Sequence, residues 1–130
     1  MFSPGLTEGA GVLPDDLNAS LGGTVMFTTN LSPTETPFQF VTWTFGADLI
    51  DIITSNTTSN ITGPEYQGRI TFFILTGSLE LRNLKLSDSG EYAVVIISAE
   101  GLKQGRTRLA VYGEQVFKQI FVLKHVLLFI

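Results

Sequence analysis

Short runs that alternate apolar with polar residues, each closed off by glycine or asparagine, constrain this chain more than any other feature. Thr24-Val25-Met26-Phe27-Thr28-Thr29 alternates after Gly22-Gly23. Phe40 to Phe45 does the same, with Val41, Trp43 and Phe45 on one face and Thr42 and Thr44 on the other. Leu49 to Ile53, Arg69 to Leu75, Leu79 to Leu81, Tyr92 to Ser98 and Thr107 to Tyr112 read as further strands between turn signals. Ser55 to Gly63 is polar and rich in Asn and Thr, and reads as a loop or ragged edge. No amphipathic helical pattern precedes Gly113. Strands this short and this regularly spaced predict an all-β sandwich or barrel.

Composition narrows the function classes. With 130 residues and 44% hydrophobic content, the chain has material for one core but not for a two-domain enzyme with a cleft. Eight Lys plus Arg against twelve Asp plus Glu leave no basic stripe for nucleic acid. The absence of cysteine removes disulfides, thiolate catalysis and thiolate metal sites together. His125 is the only histidine and has no second ligand at metal spacing, so no metal or other cofactor is expected. Asp48 and Asp51 read as solvated edge charges rather than a catalytic pair. No glycine cluster opens a helix after a strand, so no nucleotide fingerprint is present. The chain is not expected to be an enzyme.

Asp88-Ser89-Gly90-Glu91-Tyr92-Ala93-Val94 resembles the D-x-G-x-Y-x-C signature that opens strand F of an immunoglobulin variable-type domain, with Val94 in the cysteine position. Val25-x-Phe27-x-Thr29 resembles the V-x-L-x-C of strand B, with Thr29 in the other cysteine position. Thr29 and Val94 are 65 residues apart and Trp43 follows Thr29 by 14, which fits the Cys…Trp…Cys arrangement. Arg69 and Asp88 resemble the ion pair that closes one end of such domains. The resemblance implies an immunoglobulin-like β-sandwich of variable type without the inter-sheet disulfide, a bridge whose loss costs about 2–5 kcal/mol. Thr29, Trp43, Arg69, Asp88, Tyr92 and Val94 would be structural. Thr29 would satisfy its hydroxyl locally, most easily on a backbone carbonyl.

Within that family, Gly63-Pro64-Glu65-Tyr66-Gln67-Gly68-Arg69 and Ser78-Leu79-Glu80-Leu81-Arg82-Asn83 are similar to the N-terminal domains of carcinoembryonic-antigen-related cell adhesion molecules. Signalling lymphocyte activation receptors and the hepatic and glial cell adhesion molecule are similar too. The segment between strands C and D is shorter than in the first group, which leaves C′ and C″ undefined. The likeness implies cell-cell recognition through the GFCC′ sheet, with the chain itself or a related immunoglobulin-family molecule as partner. The residues add a reason of their own. If Tyr92, Val94 and Ile96 point inward, then Ala93, Val95 and Ile97 point out. Thr42 and Thr44 lie beside them without charge, and Ile50 is expected to add apolar area. Thr42, Thr44, Ile50, Val95 and Ile97 are thus the expected partner-binding residues. Val95 and Ile97 also suit a strand simply as strand formers. The alternative in another class is a soluble ligand-binding or decoy module that uses its loops as a paratope does.

Four Asn-x-Ser/Thr sequons, at Asn18, Asn30, Asn56 and Asn60, all fall at expected loops or strand ends and point to an extracellular glycoprotein, at the cell surface or secreted. Pro33 weakens the second. The first residues carry no signal-peptide pattern. Three segments are expected: an unstructured 1–10, the domain over 11–113, and an apolar tail over 114–130 that reads as truncated or alternatively spliced. The tail is broken by Lys118, Lys124 and His125, and as a 16-residue helix from Gln115 it would reach about 24 Å, short of a membrane span.

Overall fold

The computed structural model describes residues 11–127. The expected unstructured segment 1–10 lies outside the described residues, as does the end of the tail. Nine strands follow in order: β1 (Asp16–Ser20), β2 (Val25–Phe27), β3 (Phe40–Phe45), β4 (Ile50–Asn56), β5 (Asn60–Thr62), β6 (Ile70–Phe73), β7 (Ser78–Leu81), β8 (Gly90–Ser98) and β9 (Gly101–Tyr112). One helix, α1 (Glu114–Leu127), ends the described chain. The strands form a six-stranded sheet in the order β1-β9-β8-β3-β4-β5 and a three-stranded sheet in the order β2-β7-β6. Every pairing is antiparallel except β1 with β9.

The period-two pattern selects what fills the space between the sheets. Phe27 from β2, Trp43 from β3, Leu79 and Leu81 from β7, and Tyr92, Val94 and Ile96 from β8 are all buried. Phe27 lies 4.5 Å from Tyr92 and 5.6 Å from Trp43 between ring centroids, and Phe45 lies 4.9 Å from Tyr92. The two tilted contacts of Phe27 join the sheets, and that of Phe45 with Tyr92 lies within the larger one. Val12 and Leu13 cross beneath β9 at Gly105, where a Cβ would meet Val12 at 3.0 Å and Leu13 at 3.2 Å. Any side chain at Gly105 would push Val12 and Leu13 back by a few tenths of an ångström.

A polar cluster stands where a disulfide would otherwise tie the sheets. The Thr29 hydroxyl donates to the Thr76 carbonyl at 2.7 Å, and the Ser78 hydroxyl accepts from the Thr29 amide at 3.0 Å. Trp43 Nε1 donates across the sandwich to the Gly77 carbonyl at 2.9 Å. Gly77 has φ of 79°, and a Cβ there would approach Ile96 Cδ1 at 3.0 Å. The turn before β7 thus binds to both sheets through its backbone. No buried side-chain polar atom among the described residues lacks a partner.

Three local expectations give way. Asn18 falls within β1, opposite Ala110, and not in a loop. Asp16 to Ser20 alternates polar with apolar, with Leu17 and Ala19 toward the core, but it is short and has one large apolar side chain; β9 offers the ladder that makes it strand. Ser55 to Gly63 is neither loop nor ragged edge throughout. β4 runs on to Asn56 and β5 returns beside it. The turn between them is held by Asn56 Oδ1, which accepts from the amides of Thr58 and Ser59. β9 starts at Gly101 because it pairs with the whole length of β8.

Candidate docking face of the six-stranded sheet

Ladder register assigns the outward side chains of the large sheet to rows. The first row runs Asn56, Phe40, Ile97, Leu102 across β4, β3, β8 and β9. The second is Thr54, Thr42, Val95, Gln104, and the third is Asp51, Thr44, Ala93, Arg106. A fourth joins Glu91 and Arg108 to Asp16. Residues opposite one another in a ladder share a face, so each row points one way. The 3.3 Å approach of the Thr42 and Thr54 hydroxyls fixes that direction for the second row.

The chemistry changes along the face. The first two rows carry no charge. Asp51 and Arg106 flank the third row, and the fourth is charged throughout, with Arg106 Nη1 at 3.5 Å from Glu91 Oε1. Phe40, Val95 and Ile97 are half-buried and take no part in the core. A shallow depression of about 520 Å³ lies over the middle of the face and includes Thr42, Thr44, Leu49, Ala93, Val95 and Gln104 in its lining.

The expected partner-binding residues separate here. Thr42, Thr44, Val95 and Ile97 come together on the outward face. Ile50 does not join them. It stands opposite Phe45, which packs inward on Tyr92, while Asp51 takes the place beside Thr44. The cause is a register shift between Trp43 and Thr44 that leaves Ile52 and Ile53 both buried. Such a bulge reverses the alternation beyond it. Leu49, which sequence reasoning passed over, supplies the apolar side chain instead. It has φ of 53° and is 62% exposed at the turn between β3 and β4. Gly46 before it is an ordinary turn signal, but nothing in the sequence marks a leucine for the left-handed region.

The structural set lies in the core and at the two ends of the sandwich. Trp43, Tyr92 and Val94 are buried in the core, and Thr29 is in the polar cluster described above. Arg69 Nη2 pairs with Asp88 Oδ2, and Arg69 also donates to the carbonyls of Arg82 and Asn83, each at 3.2 Å. Asp88 Oδ2 accepts from the Lys85 amide at 2.8 Å, and the Asp88 carbonyl accepts from the Tyr92 hydroxyl at 2.6 Å. Burial first, and then the charge of Asp88, push the Tyr92 phenol well above its ordinary pKa; Tyr66 is raised for the same leading reasons. Among the described residues, no group of three His, Asp or Glu side chains is placed to hold a metal ion.

The two sheets, the buried Trp43 and the hydroxyl of Tyr92 bonded four residues upstream meet in one further finding. The model of the immunoglobulin V-set domain matches residues 12–112. The chain belongs to the immunoglobulin V-set family. In that frame β3, β4, β5, β8 and β9 are strands C, C′, C″, F and G. The V-set assignment expected from Asp88 to Val94 is thereby borne out, as is a two-sheet sandwich without a disulfide. Solved V-set-like structures share the fold. The first immunoglobulin-like domain of human CD48 antigen is 17% identical, with a TM-score of 0.68 over 77% of this chain and 83% of that one. CD84, of the SLAM family, is 20% identical, with a TM-score of 0.63 over 77% of this chain and 98% of that one. The CD2-binding domain of CD58 is 21% identical, with a TM-score of 0.61 over 75% of this chain and 53% of that one. No curated protein sequence matches the chain.

Proposed function

We propose that this V-set domain is an extracellular recognition module, of a cell-surface or secreted protein, that binds a protein partner through the outward face of its six-stranded sheet. The partner is a second copy of the chain or a related immunoglobulin-family molecule. One observation carries the reading: the face has an uncharged centre of Thr42, Thr44, Ala93 and Val95, with charge held to one end. The likeness of residues 63–69 and 78–83 to carcinoembryonic-antigen-related adhesion molecules supports it, and so does the presence of a CD2-binding domain among structures of the same fold. The domain acts by face-to-face docking, with no bond chemistry and no cofactor.

Sedimentation velocity of the glycosylated, secreted chain over a concentration series tests this. Val95→Asp with Ile97→Asp should leave the fold intact and abolish a reversible monomer-dimer shift, because an unpaired charge buried in an interface costs several kcal/mol, roughly 3–5. A monomer at every concentration would exclude the homophilic form. A dimer indifferent to the double substitution would exclude this face.

A second reading has its own observation. At the loop end a depression of about 440 Å³ is bordered by Asn30 to Thr34, Phe38 and Ser98 to Glu100. A ligand-binding or decoy module would use these loops. Binding that survives the double substitution but fails after changes at Phe38 and Glu100 would favour it.

A further inference from the structure

The outward face has one feature that docking does not explain. Its most apolar row, Phe40, Ile97 and Leu102, ends on β4 at Asn56, the first residue of an Asn-Thr-Thr sequon. We infer that Asn56 carries an N-linked glycan whose first sugars lie over Phe40, Ile97 and Leu102, dividing the face into a sugar-covered end and a bare docking end. This rests on the extracellular docking reading above, and it narrows that reading to the rows of Val95 and Ala93 together with Leu49.

Geometry supports Asn56 over the other sequons. Its Oδ1 accepts from Thr58 N, Thr58 Oγ1 and Ser59 N, each at 2.9 Å. Those three donors fix the amide orientation and turn Nδ2, the atom that takes the sugar, to solvent. Asn30 uses its own Nδ2 on the Gly11 carbonyl at 3.3 Å and is followed closely by Pro33. Asn60 Oδ1 accepts from Ser55 Oγ at 2.5 Å, and Ser55 is buried on the inner side of β4. Asn18 lies at the far edge of the sheet, opposite Ala110. Asn56 alone of the four stands in an apolar row.

Distance and chemistry agree. Adjacent strands are about 4.8 Å apart, so Ile97 lies two strands, roughly 10 Å, and Leu102 three strands, roughly 14 Å, from Asn56. The first three linked pyranose rings reach that far. Each ring has a C–H face that packs on aromatic or aliphatic side chains and a hydroxyl rim that faces water. Such a cover suits Leu102, which is 60% exposed. On attachment, Nδ2 bonds to the anomeric carbon of a lipid-diphosphate-linked oligosaccharide. The bond from that carbon to the diphosphate oxygen breaks, and one amide proton leaves with the diphosphate.

The full chain, secreted from mammalian cells that make only high-mannose glycans, provides the test. Enzymatic release of the glycan in heavy-oxygen water converts each occupied Asn to a mass-labelled Asp, and residue 56 should carry the label in most molecules. An unlabelled residue 56 overturns the inference. On the dilute monomer, binding of an apolar fluorescent dye should rise about twofold or more on full release. Trimming to a single sugar should give a smaller rise. Asn56→Asp, which keeps the acceptor oxygen of the turn, should reproduce full release; if it is not secreted, Thr58→Val serves. Leu102→Thr should cancel most of the rise. A rise unaffected by Leu102→Thr, or reproduced equally by Asn60→Asp, would put the sugar elsewhere. Occupancy and dye binding are read without a partner, so a failure of docking leaves them standing, and their failure leaves docking untouched.

Discussion

At Asp88 one residue serves three donors: Arg69 and the Lys85 amide at its carboxylate, and the Tyr92 hydroxyl at its carbonyl. Removing Arg69 leaves a buried carboxylate with a single amide and orphans the carbonyls of Arg82 and Asn83. Arg69→Ala should therefore lower unfolding free energy by roughly 3–5 kcal/mol in urea titration, with partner binding unchanged wherever the domain is folded. Tyr92 gives a prediction with a definite sign. Its folded pKa lies above the ordinary 10.0, so the stability it contributes is complete below pH 10 and is lost as pH rises toward the folded value. Unfolding free energy should hold level from about pH 7 to 9 and fall above about 10. Tyr92→Phe should lower the plateau by about 1 kcal/mol, through the lost hydrogen bond, and make the alkaline fall shallower. Tyr66, raised in the same direction, keeps some slope in the variant. An identical alkaline slope in both proteins would remove Tyr92 from the account.

Among the elements, the turn before β7 bears the part a disulfide plays elsewhere, through Thr29, Thr76, Ser78 and the Trp43 indole. Thr29→Val keeps the shape and deletes the hydroxyl, leaving the Thr76 carbonyl unpartnered. A loss of about 1–2 kcal/mol in thermal or urea unfolding is expected, and no loss would mean that water replaces the hydroxyl at no cost. The same comparison explains what could be read in advance. β3, β7 and β8 were legible because their alternation is what decides which side chains are buried. β1 and β5 were not, because Asp16 to Ser20 and Asn60 to Thr62 alternate over too few residues, with too little large apolar side chain, to stand out until β9 and β4 offer backbone partners. The candidate face was legible at Thr42, Thr44, Val95 and Ile97 for the first reason. Ile50 left the row because one extra residue in β4 puts the side chains before it on the opposite face from the one that alternation back from Thr54 assigns; the adjacent Ile52 and Ile53 are its only trace in the sequence.

Across the whole molecule, the outward sheet face and α1 make separate demands on solvent. α1 lies against β1 and β9, Phe117 and Ile120 are half-buried on it, and one Glu114–Lys118 pair at 3.3 Å runs along its surface. Phe121 is 57% exposed and Leu123 61%. No helix among the described residues is long and apolar enough to cross a membrane. The helix therefore adds little to the sandwich and much to its apolar surface. Two half-buried side chains contribute about 1 kcal/mol each, offset in part by the entropy of ordering the helix. Ending the chain at Gly113 should then lower unfolding free energy by less than about 2 kcal/mol and reduce non-specific aggregation on concentration. The reversible shift set by Val95 should persist in that shorter chain, because β8 lies two strands from β1 in the sheet. If the shift disappears along with α1, self-association belongs to the helix, and the sheet face has to be tested against a different partner.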